Sequence, residues 1–502
     1  MVTICAMTAT IMQALDSTIA NVALPYMQGS LSASQDQINW VLTSYIVAAA
    51  IMTAPVGWLA NRFGRKRIFI ICSAGFTVAS VMCGLAQDIT QMVLFRLLQG
   101  VFGAALVPLS QAVMLDTYAL HERAKAMAIW GMGVMMGPIM GPSLGAWLTE
   151  TYSWHWVFFV NLPFGVFTVL GLMAFMDETQ VNKDLQFDWF GFTALAVGIG
   201  SLQLALDRGE QLDWFESAEI VAEFVISAIG FYYFFAHSLT AKRPFVQFAI
   251  FKDRNFSTGC IFMVVIGLVL FSTMALASPL FQNAFGFPIL TAGLLLATRG
   301  MGTFVAMMIV SRLMRYIEAR TLMGIGLSLI AVTLYEMTGW TTDTAVKTII
   351  LNSVVQGFGL GLVFVPLSTV AFLTLPNHLR TDGTSMLTLF RNIASSIGIS
   401  IVIAKLTSGT TSTHAVLAEH VNPFNNALQM PDVSSILNLG TDAGRALMEV
   451  ILLAQSQIIA FSLDFQLIAI ITVCAIPLTF MLSSSKSAMR GPGSSDHAAV
   501  ME

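Results

Sequence analysis

The sequence predicts an all-α polytopic membrane protein, and three observations carry that prediction. Of its 502 residues, 56% are hydrophobic and only 10% are charged, with a mean hydropathy of +0.76. No single soluble core sequesters that much apolar side chain. Scanning for the ~20 apolar residues that a helix needs to cross a bilayer finds fourteen candidate spans. Lysine and arginine also alternate between connections. With the chain starting in the cytoplasm, 17 of the 24 fall inside, four fall outside (Arg208, Lys347, Lys405, Arg445) and three sit within spans (Arg96, Arg299, Arg391). Short cytoplasmic connections carry such an excess, so an even span count with both termini inside is expected.

Composition also narrows the functional classes. The net charge of −4 is small and spread out, and no basic patch marks a nucleic-acid partner. Cys5, Cys72, Cys83, Cys260 and Cys474 lie in apolar segments without a Cys-x-x-Cys pair, so they read as small core residues and neither a disulfide framework nor a metal site is expected. All seven histidines fall between or beyond the spans. A membrane-embedded proton carrier should therefore be a carboxylate.

Span 1 (3–24) begins without a basic n-region or a small-residue cleavage site, so it is expected to stay in the mature protein. It holds Leu15-Asp16-Ser17-Thr18-Ile19-Ala20-Asn21-Val22-Ala23-Leu24-Pro25, with Asp16 in its outer half. An ionised Asp at a bilayer centre costs roughly 2.5–3.5 kcal/mol. A water-filled path, a partner charge or a transported proton offsets such a cost; a plain hydrogen bond between packed helices is the alternative. Span 2 (38–58) brings Trp40 and Tyr45. It ends in the turn Gly57-Trp58-Leu59-Ala60-Asn61-Arg62-Phe63-Gly64-Arg65-Lys66-Arg67, where glycines permit a tight reversal and the basic cluster can bond carbonyls at neighbouring helix ends.

Span 3 (68–86) is featureless. Span 4 (91–115) carries Arg96, Gln99 and Gly100, and its buried guanidinium either tunes a nearby carboxylate or bonds helix carbonyls. Span 5 (125–148) carries Gly131, Gly133, Gly137-Pro138 and Gly141-Pro142-Ser143-Leu144-Gly145. Small residues at this spacing let helices approach closely, and the prolines are expected to bend the helix. Span 6 (156–176) follows Trp154-His155, and spans 7 and 8 (188–206, 217–236) precede spans 9 to 13 (256–280, 290–311, 321–340, 347–374, 383–405) and span 14 (460–482).

Arg299 in span 10, beside Gly300 and Gly302, either faces the interior or snorkels to water. Arg391 and Asn392 in span 13 are placed to line a cavity. Glu223, Glu336 and Asp464 lie near outer span ends and are expected to be solvated, which leaves Asp16 the carboxylate most clearly inside the membrane. Gln13, Asn21, Trp40, Tyr45, Gln99, Met132, Met135 and Met136 complete the candidate cavity set, since Met-rich surfaces repack around varied ligands. The connection 406–459 is long and polar, and loops of that length are usually functional. The tail 483–502 reads as disordered.

The chain also repeats itself. Gln99-Gly100-Val101-Phe102-Gly103 leading to Val107-Pro108-Leu109-Ser110 returns as Gln356-Gly357-Phe358-Gly359 leading to Val365-Pro366-Leu367-Ser368, offset by 257 and 258 residues. The basic turn 57–67 is echoed at 311–321. Two six-span halves, 1–176 and 256–482, around an inserted pair at 188–236 explain both offsets.

The turn Gly57–Arg67 resembles the signature loop of the major facilitator superfamily, which usually has Asp where this chain has Asn61. Asn61 leaves that position without its charge. The Arg96-x-x-Gln99-Gly100 motif resembles one that the family associates with proton coupling, and the Gly137-Pro138, Gly141-Pro142 and Gly145 run of span 5 resembles its antiporter motif. Together with Trp154–Pro163, Leu206–Glu210, Asp213-Trp214-Phe215, Leu280-Phe281-Gln282 and Val421–Asn425, they resemble the fourteen-span drug:proton antiporters of the EmrB type, over residues 11–482.

The resemblance implies a major facilitator fold of fourteen spans and a bacterial inner-membrane exporter of hydrophobic or amphipathic compounds. It needs no cofactor beyond a proton gradient. Asp16 and Arg96 would couple to protons, while Gly57, Asn61, Arg62, Gly64, Arg65 and the span 5 motif would govern conformation. Small-molecule substrates, a periplasmic adaptor and an outer-membrane channel are the implied partners. A specialised exporter of an endogenous siderophore or fatty acid is the alternative. A polytopic membrane enzyme is disfavoured, because no Cys/His, His/Glu or Ser/His constellation shares a membrane face.

Overall fold

The computed structural model describes residues 1–482 except 180, 242–243, 247, 377–378, 423–424, 426–427, 429 and 431–436. The tail 483–502, Lys242, Arg243 and the Pro423-Phe424 part of the 421–425 motif lie outside the described residues. Among the described residues there are helices and no strands. Thirteen helices are long and apolar enough to cross a membrane, and a fourteenth span is a bent pair.

In chain order the helices are α1 Val2–Ser30, α2 Gln35–Thr53, α3 Val56–Phe63, α4 Arg65–Gly84, α5 Ile89–Gly103, α6 Leu106–Thr117, α7 Arg123–Thr151, α8 Trp156–Phe159 and α9 Asn161–Phe175. They continue with α10 Trp189–Arg208, α11 Ala218–Thr240, α12 Arg254–Pro279, α13 Ile289–Leu313, α14 Ala319–Met337, α15 Val346–Val370, α16 Arg380–Ala418 and α17 Asp442–Ala475. The bent pair is α2–α3, with a 55° break. Pro55 sits at that break, where it removes an amide donor and crowds the preceding turn.

Local signals start several helices. Ser34 and Gln37 form a reciprocal capping box on α2. Asp88 accepts from the Gln91 amide at 2.9 Å to start α5, and Asp253 does the same with Phe256 for α12. Asp188 caps α10 through Gly191 at 2.9 Å. It also bonds His237 of α11 at 3.0 Å and the Phe245 amide at 3.0 Å, which ties α10 to α11.

The packing echoes the sequence repeat: α1 lies along α7 as α12 lies along α16, and α4 packs on α5 as α14 packs on α15. The two sets meet where α7 runs beside α13, and where α3 and α6 touch α16. α10 lies between α2 and α16. It reaches α2 through an Asp207–Thr43 hydrogen bond and α16 through Ser400, which donates to the Leu206 carbonyl at 2.7 Å.

Several expectations need correction. Span 1 is longer than predicted, so Asp16 is the middle residue of α1 and not in its outer half. α7 continues as one unbroken helix through positions 138 and 142. Its glycines serve close packing: a Cβ at Gly137 would overlap the backbone of Ala14, and one at Gly141 would overlap Thr18. The Thr18 hydroxyl bonds the Gly137 carbonyl at 3.1 Å across this seam. Gly141→Leu is therefore expected to force α1 and α7 apart, costing at least the 1–3 kcal/mol of an overpacked core. Loss of monodisperse protein after detergent extraction would show it.

The connection 406–459 is also mostly helical. Residues 406–418 extend α16 and 442–459 belong to α17, since neither 410–418 nor 445–459 contains a glycine or proline. A 39-residue helix measures about 58 Å, against a bilayer core of about 30 Å. The two helices thus project beyond the membrane, and only 419–441 links them. Cys474 is exposed on the outer face of α17, whereas the other four cysteines are buried.

Candidate functional site

The centre of the first six spans holds a buried polar cluster built on Asp16. Its carboxylate is fully enclosed and accepts three hydrogen bonds. Arg96 Nη1 donates to Oδ2 at 2.8 Å, while Gln99 Nε2 and Asn161 Nδ2 donate to Oδ1 at 2.9 Å each. The helical spacing of Arg96 and Gln99 puts both on one face of α5, where Arg96 also bonds Gln99 Oε1 at 2.8 Å. Arg96 Nε reaches the Val41 carbonyl of α2 at 3.1 Å.

The Tyr45 ring lies 4.4 Å from the guanidinium carbon, a cation–π contact inside a sealed site. Gln13 donates to the Tyr45 hydroxyl at 3.2 Å. The partner charge is thus what offsets the buried carboxylate, and Arg96 bonds both that carboxylate and a helix carbonyl.

Asn161 is the functional candidate that sequence reasoning missed. It lies inside span 6 and opens α9, where no sequence signal gives it a partner, yet it is fully buried and bridges Asp16 to Ser80 Oγ at 3.0 Å. The break between α8 and α9 tucks it inward. A hydrogen bond to a charged group is worth about 1.5–3 kcal/mol. Asn161→Leu is expected to lower transport about tenfold with membrane protein levels maintained, read by dye efflux against immunoblot.

A second polar cluster closes the end of the bundle that carries Arg62, Arg65, Lys66, Arg67, Arg123, Lys125, Arg312 and Arg315, here the basic face. Arg65 forms an ion pair with Asp116 of α6 and donates to Thr381 Oγ1 at 2.8 Å. Arg380 of α16 holds the other oxygen of Asp116 at 2.7 Å. Both arginines are buried, with side chains 9% and 8% exposed. Gly57 packs directly on Asp382, which also accepts from Asn61 Nδ2 at 3.4 Å. Asn61 carries no charge, and the carboxylates of this cluster are Asp116, from the same half, and Asp382, from the other half. Gly64 turns the chain with φ +95°, and the backbone amides of Lys66 and Arg67 at the start of α4 bond Glu178 at 3.1 and 3.2 Å.

Known proteins resemble this chain across most of its length. The family model described as Major Facilitator Superfamily matches residues 6–399. The Multidrug export protein EmrB of Escherichia coli (strain K12) is 36% identical over 423 residues, covering 83% of this chain and 82% of that protein. The chain belongs to the major facilitator superfamily. Its EmrB-like relatives also include the Fatty acid resistance protein FarB of Neisseria gonorrhoeae, 33% identical over 421 residues and covering 84% and 83% of the two chains. The solved structure of the proton:xylose symporter XylE superposes with a TM-score of 0.60 at 13% identity, covering 96% of this chain and 98% of that one, which shows a shared fold.

Within this major facilitator fold the other candidate residues are dispersed. Met135 is buried, Met136 and Gln13 are half-buried, and Asn21 is exposed. Trp40 is exposed at the outer end of α2, and the guanidinium carbon of Arg208 lies 5.4 Å from its ring centre. Arg391 and Asn392 are half-buried, bonded to each other at 3.4 Å, and far in sequence and packing from the Asp16 cluster. Arg62 is half-buried, and a Cβ at Gly145 would come within 2.9 Å of the Ile19 carbonyl.

Two further charges are buried, one of them against expectation. Arg299 does not snorkel: it is 9% exposed and donates to Thr273 Oγ1 at 3.2 Å, because the neighbouring Gly300 and Gly302 let α13 pack tightly on α7 and α15. Asp464 is fully buried, not solvated, and neither oxygen has a hydrogen-bond partner among the described residues. The early start of α17 at Asp442 moves it from a span end to mid-helix. Glu223 is half-buried with Arg208 4.0 Å away, and Glu336 is exposed, accepting from Asn352 at 2.9 Å. Among the described residues no group of His, Cys, Asp and Glu side chains is arranged to hold a metal.

Proposed function

We propose that this protein is a proton-driven exporter of hydrophobic and amphipathic toxic compounds, a carrier rather than an enzyme, in a bacterial inner membrane with both termini cytoplasmic. The observation that carries the reading is the sealed Asp16–Arg96 pair, in a chain 36% identical to a multidrug export protein. The excess of Lys and Arg assigns the basic face to the cytoplasm.

In the proposed cycle the arrangement described above is one with the cytoplasmic side latched. Protonation of Asp16 from outside removes its charge, weakens its hold on Arg96, Gln99 and Asn161, and frees α1 and α5 to shift. The halves then rock, the Arg65–Asp116–Arg380 latch opens, and the proton leaves inward as substrate loads. Moving one charge through 100 mV is worth roughly 2.3 kcal/mol, enough to bias such a step. Inverted vesicles energised by a pH gradient should transport a lipophilic cationic dye, and an uncoupler should stop it. Efflux indifferent to the uncoupler overturns the reading.

The projecting ends of α16 and α17, joined by 419–441, support a further element: docking of a periplasmic adaptor that leads to an outer-membrane channel. Deleting 419–441 is expected to abolish adaptor pull-down, and retained binding contradicts it. A second reading, export of an endogenous fatty acid or siderophore, is favoured by the likeness to a fatty acid resistance protein. Competition separates the two, since a specialist ignores unrelated cations.

A further inference from the structure

A groove of about 460 Å³ runs up the outer face of α14, between that helix and the end of α17 with the turn that follows it. Its polar end is Arg320, at the basic face. Its walls are Leu329 and Val332 of α14, facing Ile476 and Phe480. From Arg320 to Val332 is twelve residues, about 18 Å of helix. One leaflet of a ~30 Å hydrocarbon core is about 15 Å deep. Along α14 the lining thus reaches about one leaflet's depth, charged at the water edge and apolar below, with Ile476, Thr479 and Phe480 as the opposing wall.

Three further features bear on what it holds. Gly324 lies on the groove floor, and a Cβ there would meet nothing nearer than the Thr479 hydroxyl at 4.0 Å, so the missing side chain is part of the space. Arg254 donates to the Met481 carbonyl at 2.9 Å, beside Phe480, which adds positive charge at the same end. Glu318 pairs with Arg320 at 2.6 Å but leaves its side chain 42% exposed. Arg312 and Arg315, both exposed, precede α14 in the same connection. Four arginines against two carboxylates, Glu318 and the helix-capping Asp253, leave that rim positive.

We infer that this groove holds one anionic phospholipid of the adjoining leaflet, its phosphate at Arg320 and one acyl chain along α14. The charge complementarity selects an anionic headgroup, because a basic site between spans at the membrane surface attracts one by about 1 kcal/mol per Arg, a factor of about five. The length and apolar walls select a chain-bearing lipid over free phosphate. This site lies outside the Asp16 cluster and does not depend on the transport reading.

The test is native mass spectrometry of the detergent-purified full chain with phosphatidylglycerol, phosphatidylcholine or oleate added at equal concentration. Wild type should retain one phosphatidylglycerol about fivefold above phosphatidylcholine. Arg320→Gln should erase that preference. Gly324→Leu, which fills open space and favours helix, should remove the bound lipid while leaving the melting temperature in phosphatidylcholine unchanged. Equal retention of the two phospholipids by wild type overturns the inference, and so does undiminished phosphatidylglycerol on Gly324→Leu. Oleate displacing phosphatidylglycerol at equal concentration also overturns it, by assigning the groove to a free fatty acid.

Discussion

Asp16→Asn is expected to abolish gradient-driven efflux and to lower the amount of folded protein. The substitution keeps size and shape, so α1 and α7 still fit. It leaves the Arg96 guanidinium, 1% exposed, without its counter-charge. Breaking a buried pair by removing one partner costs about 3–5 kcal/mol, largely because the remaining charge is stranded. The double variant Asp16→Asn, Arg96→Gln removes both charges and should recover the folded amount by gel filtration. It should not recover efflux, since no titratable group remains at that position. Recovery of both would mean that the pair is structural and the proton moves elsewhere.

The second large effect is expected at the basic face. Asp116→Asn leaves Arg65 and Arg380 facing each other with no carboxylate between them. Asp116 itself is 32% exposed, so solvent softens the penalty. A loss of about 2 kcal/mol from the latched form is about thirtyfold in population. Thr381 is fully buried beneath Arg65 and reports on the opening. In a background with Cys474 replaced, Thr381→Cys should react with a water-soluble thiol reagent about thirtyfold faster when Asp116→Asn is added. An unchanged rate would mean that Asp116 does not hold the two halves together.

The same cluster predicts a charge exchange. Asn61→Asp places a second carboxylate against Asp382 and should impair transport, and adding Asp382→Asn should restore it, because either half can supply the single charge.

Much of this was legible in the sequence, and the boundary follows from what a periodic pattern encodes. Hydropathy reads the length of apolar segments, so the spans are visible in the sequence, while the missing charge at Asn61 is visible only through the family resemblance. Residue type in an apolar context marked Asp16 and Arg96, since neither is stable there alone. Which helix supplies a partner is a tertiary fact: Asn161, Asp116, Arg380 and Asp382 lie 145, 51, 264 and 321 residues from the groups they bond. Helix ends were misjudged where polar residues continue a helix into water. That error hid Asp464, which looked like a span-end residue until α17 was seen to begin at Asp442.

The central claim is that Asp16 carries the proton that export releases. Its most direct test is drug-induced proton release from detergent-purified protein in weakly buffered solution, wild type beside the Asp16→Asn, Arg96→Gln variant. The account predicts a stoichiometric release of protons from wild type on adding a lipophilic cation, and none from the variant at matched drug binding. Equal release from both would contradict it.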